Sequence, residues 1–164
     1  MSADPRYMQK NTDGRPEWWN SDHWATPPQV VSILELEFGR FDLDPCCVPD
    51  TAKAPRFYTP ADDGLRQPWF GRVFLNPPYS KPAPWLEKAI AETKREGGAD
   101  LVIALLPAST DTRWFHRLVK ERAEIRFIQG RVRFFGWQRT PITSPKAPSI
   151  FAIYRRARMG EEAR

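Results

Sequence analysis

Side chains that hold metals or form cross-links are scarce in this chain. Its 164 residues include two cysteines and two histidines. Cys46 and Cys47 are adjacent and His23 and His116 lie far apart, so the ligand spacing of a zinc site is absent and no metal is expected. Neighbouring cysteines are also poorly placed to bond to each other. No apolar run approaches the length that crosses a bilayer, and no basic leader with an apolar centre opens the sequence, so no membrane attachment is expected. A reducing cytoplasm is the expected compartment. Internal repeats and low-complexity tracts are lacking as well. At this length the chain reads as one domain that buries roughly two thirds of its unfolded surface, with no second module to read a target.

Proline and positive charge are plentiful by comparison. There are 17 prolines, and 25 Lys and Arg stand against 20 Asp and Glu, a net charge of +5. A basic excess of this size suits a polyanionic partner without demanding one.

Residues 1–21 are polar and interrupted by Pro5, Gly14 and Pro16, which predicts a flexible arm before a single domain over 22–157 and a short tail at 158–164. Val30, Val31, Leu34 and Phe38 recur near helical spacing and Gly39 follows as a stop, predicting a helix over 26–38 with Thr26 as its N-cap. A first strand is expected over 41–43. Residues 46–70 are rich in proline and turn formers, so the usual second strand and helix are expected to be abbreviated. Then come a strand at 73–75, a helix over 85–95, a strand over 101–106, a helix from Ser109 or Thr110 to about 122, strands over 124–128 and 131–135 around a Gln129-Gly130 turn, and a last strand over 149–154. Alternating strands and helices predict an α/β fold with a mostly parallel, doubly wound sheet.

The most telling residues are Asn76-Pro77-Pro78-Tyr79, which end the apolar run Val73-Phe74-Leu75. Proline lacks the backbone donor, so the chain must leave the sheet there, and both rings stiffen the turn. A turn at the carboxyl end of a central strand is where open α/β sheets place ligands. It offers acceptors, the Asn76 side-chain oxygen and the Pro77 carbonyl, beside the aromatic face of Tyr79. Two acceptors that draw the hydrogens of a conjugated amine out of plane return its lone pair to nitrogen, which makes it a nucleophile. Prolines also crowd ordinary turns, so the tetrapeptide alone fits that reading too. Asp44, Asp62 and Asp63 likewise fit caps or turns when taken singly.

In order, the chain carries Trp24-Ala25-Thr26-Pro27, Phe41-Asp42-Leu43-Asp44-Pro45, Ala52-Lys53, Tyr58-Thr59, Asp63-Gly64-Leu65, Trp69, the Asn76 tetrapeptide, Leu106-Pro107-Ala108, Trp114-Phe115-His116 and Gly130-Arg131-Val132-Arg133-Phe134. This ordered set, over about residues 22–155, resembles the phage-type DNA N-6-adenine methyltransferase (Dam-like) family. The resemblance implies a Rossmann-like class I methyltransferase fold, S-adenosyl-L-methionine as cofactor, double-stranded DNA as partner, and methyl transfer to the amine of a flipped adenine. It implies Asn76, Pro77, Pro78 and Tyr79 as the catalytic turn, with Tyr79 stacking on the base. For the cofactor it implies Trp24, Thr26, Pro27, Asp44, Pro45, Asp63, Gly64, Leu65 and Asn76. Asp44 would pair with the methionine ammonium, Thr26 would touch the methionine carboxylate, Asp63 would accept from the adenine amine, and Leu65 would pack on that adenine. Departures from the family pattern are Cys46-Cys47, where small residues are usual, and Thr51, where asparagine is common. Asp50 is the one acid available for the cofactor ribose.

The segment between Gly136 and Pro148 is too broken for regular structure, and long loops of this kind often carry function. With Arg131, Arg133, Arg139 and Lys146 nearby and Trp137 able to stack or wedge, it is the expected DNA contact, together with Ser80 and Lys81 beside the tetrapeptide. A solvated loop with ordinary surface charge fits the same residues. Asn-Pro-Pro-Tyr is shared by methyltransferases of RNA adenine and protein glutamine, so those substrates stay open, as does a binding protein that kept the fold without catalysis.

Overall fold

In the computed structural model the described residues are 21–136 and 147–157. The expected flexible arm apart from Ser21, which enters a short 3-10 turn over Ser21–His23, the loop bearing Trp137, Arg139 and Lys146, and the tail at 158–164 fall outside them. Six strands form one sheet among these residues: β1 (Leu43–Asp44), β2 (Arg56–Phe57), β3 (Gly71–Leu75), β4 (Ala99–Pro107), β5 (Glu124–Phe127) and β6 (Ser149–Arg155), in the order β2-β1-β3-β4-β6-β5. β2, β1, β3 and β4 pair in parallel, and β6 alone runs against its neighbours β4 and β5. The helices are α1 (Pro28–Phe38), α2 (Ala83–Lys94) and α3 (Arg113–Phe115), the last passing into a π-helical turn at His116–Lys120. This is the expected α/β, mostly parallel, doubly wound arrangement. Its second strand is cut to two residues, as the turn formers of 46–70 predict.

Alternation along the central strands sends side chains into two cores. Val73, Leu75, Val102, Ala104 and Leu106 join Leu86 of α2 and Phe115. Phe74, Ile103 and Leu105 join Val31 and Leu34 of α1 on the other face. Because both faces are covered, β4 reads as a continuous apolar run rather than an alternating one. The stripe of α1 that faces the sheet is narrow, and Ile33 and Leu36 on its outer side remain exposed.

Several expected boundaries shift, each for a local reason. Pro27, not Thr26, stands at the N-cap of α1, and the Thr26 hydroxyl makes no cap bond. The first strand pairs at Leu43–Asp44 rather than 41–43, because the Asp42 carboxylate turns to accept from the Arg72 amide at 2.8 Å. The third helix begins after Thr112, whose Oγ1 accepts from the Phe115 amide, and not at Ser109 or Thr110. Residues 131–135 form no strand. Val132 and Phe134 are buried and Arg131 and Arg133 exposed, so the two-residue period is present, but the segment docks on the α1 face of the sheet. Burial of Val132 and Phe134 against that face holds the segment off the open edge of β5, and among the described residues its ladder contact is an antiparallel bridge from Phe135 to Ala25.

Candidate functional site

The carboxyl ends of β1 and β3 open onto a cavity of about 340 Å³, within the size range of cofactor sites. Sequence-distant pieces meet there. Residues 22–26 arrive from before α1, Asp44 and Pro45 from the end of β1, Asp63 and Gly64 from the loop after β2, and Asn76 and Pro78 from the turn after β3. Of the residues expected at a cofactor, Trp24, Thr26, Asp44, Pro45, Asp63, Gly64 and Asn76 line this cavity. Pro27 and Leu65 do not: Pro27 is spent starting α1, and Leu65 lies outside the lining. Asp50 is exposed and also outside it, so the position expected at a ribose faces solvent instead.

Asp44 is buried, with 2% of its surface exposed. Its Oδ2 accepts from the Lys53 amide at 3.0 Å and its Oδ1 from the Cys46 amide at 3.4 Å. Burial pushes its pKa up to about 6, against the pull of these hydrogen bonds. Cys46 and Cys47 also line the cavity, and burial raises both thiols, keeping them protonated and unreactive. The Thr26 hydroxyl is buried in the cavity wall without a hydrogen-bond partner. An orphaned donor and a carboxyl whose ionisation is opposed by burial are both costly, and a zwitterionic ligand would relieve both.

Loop geometry brings Asp63 to the same wall. Asp63 has φ +54°, a left-handed conformation that aspartate tolerates better than most residues, and its carboxylate sits 3.3 Å from Arg66. Its neighbour Asp62 accepts from both the amide and the hydroxyl of Thr59 at 2.8 Å, so the two adjacent acids divide into one turn former and one cavity residue. Gly64 is required by close approach, since a Cβ there would stand 2.0 Å from the Pro45 carbonyl oxygen. The Trp69 indole N–H holds the loop from beneath by donating to the Gly64 carbonyl at 2.8 Å.

The Asn76 turn divides two spaces. A second void, with room for about one water, lies among Asp22, Trp24, Asn76, Pro77, Tyr79 and Phe134. Pro78 faces the larger cavity, Pro77 the smaller, and Asn76 lines both. The Asn76 side-chain N–H donates to the Trp24 carbonyl at 2.9 Å, which leaves its oxygen as the end able to accept from a ligand. The turn closes through the Lys81 amide on the Pro78 carbonyl. Tyr79 meets Phe134 edge to face, centroids 5.9 Å apart and planes at 89°. Its hydroxyl is buried and unpaired, and burial raises its pKa while the nearby Ser149 hydroxyl opposes that.

Of the residues expected to meet DNA, Lys81, Arg131 and Arg133 are exposed, whereas Ser80 is engaged by Asp22. Sequence reasoning missed Asp22 altogether, along with Lys53, Thr59 and Trp85 in the cavity wall. Asp22 stands two residues before Trp24, at the first position of the expected domain, and nothing local marks it. Among the described residues no cluster of His, Cys, Asp and Glu could hold a metal ion, and no helix is long and apolar enough to cross a membrane.

The chain is 35% identical over 111 residues to the DNA N-6-adenine-methyltransferase of Escherichia phage T1, covering 66% of this chain and 45% of that protein. It is 36% identical over 111 residues to the DNA N-6-adenine-methyltransferase of Haemophilus phage HP1, covering 66% and 63%. The matched region thus spans less than two thirds of each relative's length. Among solved structures, a putative RNA methyltransferase from Pyrococcus horikoshii aligns at 15% identity with a TM-score of 0.41, covering 80% of this chain and 60% of that one, too slight a likeness to carry argument. A family model described as DNA N-6-adenine-methyltransferase (Dam) matches residues 6–161, and with almost the whole sequence inside that match the chain belongs to the DNA N-6-adenine-methyltransferase family.

Proposed function

We propose that this chain transfers a methyl group from S-adenosyl-L-methionine to the N6 amine of an adenine in double-stranded DNA, the adenine being turned out of the duplex to reach Asn76. The observation that carries the reading is the position of Asn76. Its side chain, in company with Asp22 and Trp24, borders both the larger cavity and the smaller void, and its amide nitrogen is committed to the Trp24 carbonyl. Family membership and the activity named for the phage relatives support DNA as the substrate.

The larger cavity suits the cofactor chemically. Asp44 would pair with its ammonium and Thr26 Oγ1 would donate to its carboxylate, which answers the buried carboxyl and the orphaned hydroxyl together. Asp63 is the acid in reach of an adenine amine. The bound cofactor supplies an electrophilic methyl. Asn76 Oδ1 and the Pro77 carbonyl would accept the two hydrogens of the target amine and draw them out of the ring plane, concentrating the lone pair on nitrogen. Positive charge then develops on that nitrogen beside two fixed acceptors, and the surplus proton leaves to water after transfer, so no strong general base is needed. Tyr79, braced edge-on by Phe134, would stack on the base, worth about 1–3 kcal/mol. Lys81, Arg131 and Arg133, and outside the described residues Trp137, Arg139 and Lys146, would contact the DNA.

The test is incubation with methyl-labelled S-adenosyl-L-methionine and, in parallel, unmethylated DNA, RNA and a protein lysate, each digested for mass spectrometry. Labelled N6-methyladenine in DNA, lost in Asn76→Ala, is the expected result. Label in RNA adenine or in glutamine instead moves the chain to another substrate class, and no label in any arm leaves a binding protein.

A further inference from the structure

The void beside Asn76 is too small for a purine in this structure, since about one water fills it. One of its walls must therefore move for a base to enter. The turn wall is stiffened by Pro77 and Pro78. Phe134 is 1% exposed and packed in the core on the α1 face of the sheet. The Tyr79 ring is braced edge-on by that Phe134, and the remaining wall is the segment carrying Asp22 and Trp24. That segment is pinned at one end, where Ala25 and Phe135 exchange two backbone hydrogen bonds of 2.8 and 2.9 Å, and the Trp24 carbonyl holds Asn76. At its other end the Asp22 carboxylate accepts from the Ser80 amide at 3.1 Å and from the Ser80 hydroxyl at 2.6 Å. This outer pair lies at the surface, with Ser80 exposed. It is a fastening that can open without releasing Asn76.

The chemistry of that fastening is specific. An amide N–H and a hydroxyl converging on two carboxylate oxygens form a two-point anion site, and a phosphodiester presents two oxygens in much the same way. A carboxylate at the edge of a base slot also opposes an approaching polyanion unless something displaces it. Resting on the reading of DNA as substrate, we propose that Asp22 is a latch on the base slot: its carboxylate occupies the two Ser80 donors in the free protein, and a DNA phosphate takes those donors in its place, so that Asp22 swings out and the slot opens.

The test is a double-mutant cycle on duplex DNA affinity by fluorescence anisotropy, with Asp22→Asn, Ser80→Ala and the pair, each checked for folding by thermal denaturation. The latch requires Asp22→Asn to tighten binding roughly tenfold when Ser80 is present, and by only about threefold in the Ser80→Ala background, where the backbone amide is the one donor left to free. Equal gains in both backgrounds would mean simple charge repulsion, and weaker binding by Asp22→Asn would mean that the contact is a strut; either overturns the latch. A second measurement does not depend on DNA being the substrate. Titration with inorganic phosphate, followed at the Ser80 amide by NMR, should saturate at lower phosphate in Asp22→Asn than in the wild type. Indistinguishable titrations overturn the latch even where DNA methylation is observed, while a shifted titration alongside unmethylated DNA sustains it and refutes the substrate.

Discussion

Burial of Asp44 should make both stability and cofactor affinity depend on pH in a way that one substitution removes. Its carboxyl is moved from an ordinary 3.8 to about 6 by desolvation. Ionising it in the empty folded chain therefore costs about 3 kcal/mol relative to the unfolded chain. The sign follows from the raised value. The folded state holds the proton more tightly, so the stability from the neutral carboxyl is fully present below 3.8 and is lost as pH rises through 6. About 2 kcal/mol of that loss falls between pH 4.5 and 7.5. Asp44→Asn abolishes the titration. The variant also loses one backbone hydrogen bond, because an amide can accept from only one of the Lys53 and Cys46 N–H groups, but that cost is the same at every pH. The stability difference between wild type and Asp44→Asn, from urea unfolding of the ligand-free proteins, should therefore move by about 2 kcal/mol toward the variant as pH rises over that interval. Cofactor binding should run in the opposite sense. A ligand ammonium needs the ionised carboxylate, so calorimetric affinity should weaken up to about tenfold per pH unit below 6 and be flat above it, with proton release in the acid range. In Asp44→Asn the affinity should be low and insensitive to pH across the same range. A flat wild-type profile, or the same slope in the variant, would refute the assignment of Asp44 to the ammonium.

Asn76→Ala should reduce methyl transfer by at least about 10²-fold, as loss of a preorganised acceptor does, while cofactor affinity falls less than about tenfold; parallel loss of both would make Asn76 a packing residue. Thr26→Val should have two opposite effects: the empty protein gains up to about 1 kcal/mol in thermal unfolding because an orphaned buried hydroxyl is removed, and cofactor affinity drops about tenfold by calorimetry. Tyr79→Phe should leave transfer within a few-fold of wild type and stability unchanged or slightly raised, since its hydroxyl is buried without a bond; a large loss of transfer would give that hydroxyl a role in the reaction.

The stiff turn of Asn76-Pro77-Pro78-Tyr79 was legible because its logic is local. An apolar run followed by two prolines must leave a sheet, and a covered strand such as Ala99–Pro107 announces itself as a continuous apolar run. The abbreviated second strand was legible for the same reason, since proline and turn formers act on their own neighbours. Pairing over distance was not. Residues 131–135 show the alternation of a strand, yet pack as a cover on the sheet face, where Val132 and Phe134 are buried against the α1 core and Phe135 pairs with Ala25. Thr26 shows the chemistry of an N-cap, yet its hydroxyl is left unpaired in a cavity wall because Pro27 begins the helix. The sequence by itself determined the turn, the apolar strands and the residue types at the site. The tertiary structure alone decided that Asp22 would reach Ser80, that Trp24 would orient Asn76, and that Asp50 would face solvent. Backbone restriction and hydrophobic period act within a few residues, whereas which donor meets which acceptor across the fold depends on how the layers dock.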